Sequence, residues 1–411
     1  GLGIVSPIGI GNEAFWASLR DGRSGVRNLA LFEGAHLPGT LGADVADFDP
    51  KRYVRPRKSL KVMSRDIQLA FAAADLACEQ AGHHATPFAP ERMGVLFGAE
   101  TIPCDLDELV AAFRSCMTDG QFDFGLWGQK ALPEMYPLWM LKYLPNMPAC
   151  HIAIAQDARG PNNSIVLGDV SSLLAVAEAV RVLDRGHADV VVAGGVSSRI
   201  SPPLWVRSGV FEYTRRRDNP SAASRPFDAR RDGTVAGEGA AAFTLETRRH
   251  AEARGATVLG RVLGFASAFE PNRKGQPLTG AAIRTAIGRA LEHAGLSADE
   301  IGHVNAHGAG TLHDDRIEAH AIRDTLGDAP VFAPKSYFGS LGPGGGAVEM
   351  AASVLALLHG HIPATLNYEQ PDAECPVRVV CGKGEPSQKP TALLLNHTPQ
   401  GQAAAVVLGA A

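Results

Sequence analysis

The sequence predicts an α/β fold made of two related βα halves, and three features carry that prediction. Short β-type runs alternate with helical runs along most of the 411 residues, the pattern of sheets covered by helices. One turn–helix–strand unit is echoed in the second half of the chain. Glycine is abundant, at 45 residues, as many tight turns around packed sheets require.

The β-type runs of the first half are MGVLFGAE (93–100), NSIVLG (163–168), ADVVVAGG (188–195) and AAAFTLE (240–246). Those of the second half are VLGRVLGFA (258–266), HVNAHGAG (303–310), VFAPKS (331–336), ALLLNH (392–397) and AAVVLGA (404–410). Helical patterns cover 65–81, 171–185, 280–294, 316–326 and 347–358. Such alternation predicts mostly parallel sheets. The echo pairs residues 169–195 with 345–368, each a turn, an apolar helix, a basic or histidine-bearing end and then a strand. A polar, charged stretch near 247–257 separates the halves, placed at 1–250 and 251–411. Segment 100–148 fits neither. Rich in aromatics, Leu, Met and Pro, it reads as an excursion packed over the core or against a dimer partner, or as a wall for an acyl or aromatic substrate.

A formal net charge of −4 gives no chain-wide field for nucleic acid or an anionic membrane. Six cysteines (Cys78, Cys104, Cys116, Cys150, Cys375, Cys381) lie without C-x-x-C spacing. That pattern speaks against a metal site or disulfide framework and fits the cytoplasm. No apolar run is long enough to span a bilayer, and no signal peptide is evident. A start at Gly1, inside a predicted strand, reads as a trimmed end and says little about targeting.

Chemistry is expected where strands end in tight turns that open helices. In GPNNSIVLGDVSSLLAVAEAV (160–180), Ile165 to Leu167 reads as a buried strand, Gly168 as the turn, and Asp169 stands at the helix start. A carboxylate there caps the first helical amides and is favoured by the dipole. In HVNAHGAGTLHDDRIEA (303–319), His307 sits in a glycine-rich turn, a place for a general base or an oxyanion donor. In APKSYFGSLGPGGGAVEMAAS (333–353), Lys335 lies near a strand end, Ser340 in the turn, and Glu349 early in the next helix.

These blocks occur in a familiar order. The opening GLGIVSPIGIGNEAFWASLRDGRSGV, then ADVVVAGG, DNPSAASRPFDARRDGTVAGEGAAAFTLE, VNAHGAGT and KS…G…GAVE resemble the β-ketoacyl–acyl carrier protein synthases of the elongating type over nearly the whole chain. The resemblance implies a thiolase-like fold with α-β-α-β-α layering. It also implies a mechanism in which a cysteine thiolate at a helix N-terminus accepts an acyl group, while two histidines assist decarboxylation and hold the oxyanion. Carried over, the cysteine falls on Asp169, the first histidine on His307 and the second on Ser340. The family's lysine and glutamate fall on Lys335 and Glu349. Of its pantetheine-contacting threonines Thr311 is kept and the other is Ala309, while the phenylalanines of its gating loop fall on Thr398 and Gln400. Thr311, Thr398 and Gln400 are therefore the implied substrate-binding positions. No resident cofactor is implied, since the phosphopantetheine arm arrives on acyl carrier protein.

A carboxylate is a poor acyl acceptor from a thioester, and Cys150, the nearest cysteine in sequence, aligns with a packing position. Ordinary condensation by this chain alone is thus not expected. Several roles for Asp169 stay open. It is a helix cap in a retired site, the chain then being a partner subunit similar to the chain-length factors. Or Asp169 and His307 are acid–base groups acting on a carrier-bound thioester by proton abstraction, dehydration, cyclisation or hydrolysis. A serine–histidine–aspartate triad would need Ser340 and Asp169 on opposite imidazole nitrogens. Decarboxylation of a malonyl group would need a protonated Asp169.

The basic stretch KRYVRPRKSLKVMSRD (51–66), with seven Lys/Arg, and RRRD (215–218) suit an acidic carrier protein. The resemblance marks Lys61 and Arg216 there, flanked by Arg215 and Arg217. It also places the strand before Asp169 at a dimer contact, implying a homodimer or a heterodimer with a cysteine-bearing ketosynthase.

Overall fold

The computed structural model describes residues 1–30, 40–206, 212–272 and 277–411. One sheet holds β1 (Leu2–Ser6), β2 (Met93–Gly98), β3 (Asn162–Ile165), β4 (Val190–Ser198) and β5 (Ala236–Glu246), side by side as β1-β5-β4-β2-β3. The other holds β6 (Arg261–Phe269), β7 (His303–Asn305), β8 (Pro330–Phe332), β9 (Thr391–His397) and β10 (Gln402–Gly409), ordered β6-β10-β9-β7-β8. In each, the first two pairings are antiparallel and the last two parallel. The halves therefore share one topology. The mostly parallel sheets expected from the alternation are in fact mixed. β9 and β10 are joined by the short turn 398–401, which allows antiparallel pairing alone.

The helices that matter for the layers and the site are α1 (Arg65–Gln80), α2 (Met147–Ala155), α3 (Ser171–Asp184), α4 (Ala281–Ala294), α5 (Leu312–Leu326), α6 (Lys335–Phe338) and α7 (Gly345–His359). α1 and α2 cover the outer face of the first sheet and α4 and α5 lie outside the second, while α3 and α7 pack between the sheets. The layering is α-β-α-β-α. α7 is buried at every residue from Gly345 to Ala356, as an all-round apolar helix must be. α1 starts where the Ser64 hydroxyl accepts the Ile67 amide, and α4 stops at Gly295 in the left-handed conformation.

The sequence echo is half realised. α3 leads within a few residues into β4, whereas α7 leads into β9 after the long segment 360–390. The stretch ATLNY is not the returning strand. Of the readings of the excursion, packing over the core is not realised. Residues 106–142 form an arm of short turns and one short helix, Val110–Ser115, whose contacts fall mostly within itself. Phe113, Phe122, Phe124 and Trp127 cluster there at 5.3–6.3 Å between ring centroids. Leu106, Phe124, Leu132 and Met140 remain more than half exposed, so the arm carries a bare apolar face.

One buried acid outside the helix interface makes stability pH-dependent. Asp66, at the start of α1, accepts the Ser198 amide at 2.9 Å. Burial first, then Glu100 and Glu238, push its carboxyl up to about 7. The folded state thus binds a proton that the unfolded chain releases near its ordinary pKa of 3.8. Stability must fall as pH rises from about 4 through about 7 and level off above, by a few kcal/mol at most. Buried Asp315, also at about 7, adds to the fall. Buried His303, pushed down to about 4, opposes it. Asp66→Asn keeps the acceptor and removes the titration, so its urea midpoint should drop less than the parent's between about pH 5 and about pH 8. An unchanged drop would refute this assignment.

Candidate functional site

The two halves bring equivalent strand ends together. Asp169 and Ser340 stand in the turns that lead to α3 and α7. Glu100 lies two residues beyond β2, and His307 two residues beyond β7. Arg199 directly follows β4, and Thr398 directly follows β9. A crevice at the carboxyl ends of strands is where α/β sheets present chemistry.

Asp169 does not cap α3. It lies in the turn Gly168–Val170, and the N-cap position, Val170, has no side-chain cap. Ser171 satisfies the local backbone instead, accepting the Leu167 amide at 2.8 Å and donating to the Gly168 carbonyl at 2.6 Å. The Asp169 carboxylate turns to Arg199, whose Nη1 and Nη2 lie 3.1 and 3.4 Å from Oδ1 and Oδ2. Nη1 also donates to Ser340 Oγ at 3.0 Å, and that hydroxyl lies 3.4 Å from Asp169 Oδ1. On its far side the guanidinium meets Glu100, with Nη2 3.3 Å from Oε2 and Nε 3.4 Å from Oε1. Ser197 hydrogen-bonds Glu100 in turn.

Side-chain exposure is 6% for Arg199, 12% for Asp169 and 22% for Glu100. Burial alone would lower the Arg199 pKa, but Asp169 and Glu100 outweigh it and hold the group above its usual value. Gly342 roofs the cluster at φ +54, and a Cβ there would lie 2.6 Å from Arg199 Nε. The strand before this turn is shorter than expected. It ends at Ile165, and Val166 and Leu167 are 43% and 44% exposed rather than buried. β3 is the sheet edge, and among the described residues no further strand covers them.

His307 belongs to a second buried cluster. Its backbone amide and that of Gly308 donate to Glu318 at 2.6 and 2.8 Å. The tight turn needs glycine: Gly308 has φ +49, and a Cβ would lie 2.9 Å from Ala333 Cβ. Lys335 Nζ sits 3.1 Å from His307 Nδ1 and is ion-paired with Glu349. Asn396 donates to Glu349 at 2.7 Å and lies 3.4 Å from the same Nδ1. An ammonium can only donate, so Nδ1 accepts and the ring carries its proton on Nε2. Burial first, then Lys335, His397 and Arg199, hold the imidazole pKa well below its usual value. His307 is a neutral donor. Its Nδ1 faces Lys335 and not a carboxylate, so the triad arrangement is not formed.

The remaining sequence-derived positions divide. Thr311 is buried, and its hydroxyl caps α5, accepting the Asp314 amide at 3.2 Å. Thr398 is buried beside the turn, its Cγ2 3.5 Å from where a Gly168 Cβ would be. Gln400 is exposed. Lys61, Arg215 and Arg217 are exposed. Arg216 is half-buried, donating to the Arg230 carbonyl at 2.7 Å and lying 3.7 Å from Asp232, which leaves it less suited to docking than its neighbours. Sequence reading missed Arg199, Glu100 and Asn396. All three stand at strand ends, and a polar residue closing a β-type run is the signal that marks such positions.

Residues 1–251 match the family "Beta-ketoacyl synthase, N-terminal domain" and residues 259–369 match "Beta-ketoacyl synthase, C-terminal domain". The chain belongs to the β-ketoacyl synthase family. Among curated relatives, this synthase homologue is 34% identical over 383 residues to the ketoacyl synthase alpha subunit of the tetracenomycin polyketide synthase of Streptomyces glaucescens, spanning 91% of this chain and 88% of the relative. Among solved structures it resembles the ishigamide ketosynthase/chain length factor, at TM-score 0.86 and 27% identity, covering 100% of this chain and 98% of the other. A type II polyketide ketosynthase in complex with its acyl-carrier protein follows at TM-score 0.81 and 25% identity, with the same coverage. The resemblance in sequence and the thiolase-like layering thus agree. Among the described residues, no helix is long and apolar enough to cross a membrane.

Proposed function

We propose that this synthase homologue is a non-condensing subunit that pairs with a cysteine-bearing ketosynthase and serves carrier-bound chains in polyketide- or fatty-acid-type biosynthesis. One observation carries the reading. Asp169, the position that the resemblance assigns to the family's nucleophile, is a carboxylate already bound by Arg199 and Ser340. A base whose oxygens accept from a guanidinium gains little by taking a substrate proton. That weighs against Asp169 and His307 as an acid–base pair. Asp169, Arg199 and Glu100 together carry one net negative charge, which weighs against malonyl decarboxylation, where both substrate and enolate are anionic.

The bare apolar arm and the uncovered residues after β3 supply surface for a partner of the same fold, and stable interfaces of this kind bury on the order of 1,600 Å² or more. Its similarity to a ketosynthase/chain length factor supports that partner. The unpaired cysteines suit a cytoplasmic setting. Co-expression with a cysteine-bearing ketosynthase should yield a one-to-one complex; a homodimer that turns over acyl carrier protein unaided would overturn the proposal. For carrier docking, Lys61→Glu with Arg217→Glu should weaken acyl-carrier-protein binding several-fold, more at low than at high salt. Unchanged binding in a calorimetric titration would remove these residues from the docking face.

A further inference from the structure

We infer that Arg199 is a specificity-determining residue that bars the acyl group from the seat, so that loss of the nucleophile is one of two locks on this site. The inference rests on the proposal that the chain does not condense. It concerns the closure of the site, not the choice of partner.

The geometry points to one atom. Arg199 Nη1 lies 3.1 Å from Asp169 and 3.0 Å from Ser340, the positions that the resemblance assigns to the acyl-accepting cysteine and to the second histidine. The guanidinium therefore stands where an acyl thioester would have to lie. It is held there from three sides. Asp169 and Ser340 hold Nη1, Glu100 accepts from Nη2 and Nε, and Gly342 leaves room for the side chain that any Cβ would remove. Glu100 is itself fixed by the Ser197 hydroxyl, one strand end away. A buried arginine bound by two carboxylates does not swing aside at small cost.

A thiol restored at position 169 meets the same obstacle. The charged and titratable groups around it are Arg199 and Glu100, the buried Tyr213 phenol, Glu349 with its partner Lys335, and neutral His307. Arg199 stabilises a thiolate there, yet occupies the approach to it.

The test compares Asp169→Cys with the variant that adds Glu100→Gln and Arg199→Ala. Each set leaves no isolated buried charge in the cluster, and thermal melts check that both fold. Each is incubated with a short-chain acyl thioester of pantetheine. Transfer of the acyl group to the introduced thiol releases pantetheine thiol, and intact-protein mass spectrometry reads the added acyl mass. The triple variant should acylate at least about tenfold faster than Asp169→Cys alone. The ultraviolet absorbance of the introduced thiolate, titrated against pH, should show a pKa at least about one pH unit lower with Arg199 than without it. Adding Arg199→Lys and Glu100→Gln to Asp169→Cys should keep the lowered thiol pKa. Equal acylation of the two variants, or none in either while both are folded, overturns the inference. Either outcome leaves the partner-subunit proposal standing, because that proposal is tested on the unmodified chain.

Discussion

Arg199→Met should lower the stability of the fold by about 3–5 kcal/mol, the usual result of removing one partner from a buried ion pair. The substitution keeps most of the side-chain volume, so the loss does not come from a cavity. It comes from Asp169 and Glu100, which would face each other with no cation between them. Glu100 retains 22% side-chain exposure, and water reaching it places the effect at the lower end of that range. Glu100→Gln and Asp169→Asn added to Arg199→Met remove both stranded charges and should recover most of the loss, since a neutral packed cluster is often no less stable than an ionic one. Urea unfolding of the three proteins decides the matter. A loss below about 1 kcal/mol for Arg199→Met would mean that the pair behaves as a surface salt bridge and not as a buried one.

Lys335→Met should cost a similar amount, about 3–5 kcal/mol, and in addition change the chemistry of His307. Lys335 and Glu349 side chains are each 2% exposed. Burial already pushes the Glu349 carboxyl up, and Lys335 and Asn396 work against that push. Without the ammonium, Glu349 becomes a protonated or stranded acid. At the same time the imidazole loses a cation 3.1 Å from Nδ1, one of the groups that depress its pKa. The His307 pKa should rise toward its ordinary value, though burial keeps it below. An NMR titration of the imidazole resonances reads this directly. A pKa that stays put, or falls, would mean that Lys335 does not point its charge at the ring. Glu349→Gln in the Lys335→Met background should restore stability while leaving the His307 shift in place. That split separates the structural from the electrostatic contribution.

Much of this site is legible in the chain alone. Asp169, His307, Ser340, Lys335 and Glu349 each lie at a junction where a β-type run gives way to a glycine-bearing turn and a helix, and chain-local patterns suffice to mark such junctions. Their order along the chain carries the family resemblance. At two residues the folded protein shows a partner that the sequence did not. In the sequence Asp169 reads as a helix cap, because a carboxylate beside the first amides of α3 is the local optimum. Ser171 takes over the local backbone bonds, which frees the carboxylate for a longer-range partner. Thr311, by resemblance a substrate contact, uses its hydroxyl to cap α5.

By itself the sequence determined the two-half α/β architecture, the strand–turn–helix junctions and the presence of a carboxylate at the junction that opens α3. These are properties of near neighbours, set by periodicity, by glycine and by side-chain identity. Tertiary structure alone decided what that carboxylate meets. Arg199 is 30 residues from Asp169 in the chain, and Ser340 is 171 away. They meet because β4 lies beside β2 in one sheet and because α3 and α7 pack between the two sheets. Such adjacency comes from strand order and layer stacking, which depend on how the whole apolar surface is buried and not on any local stretch.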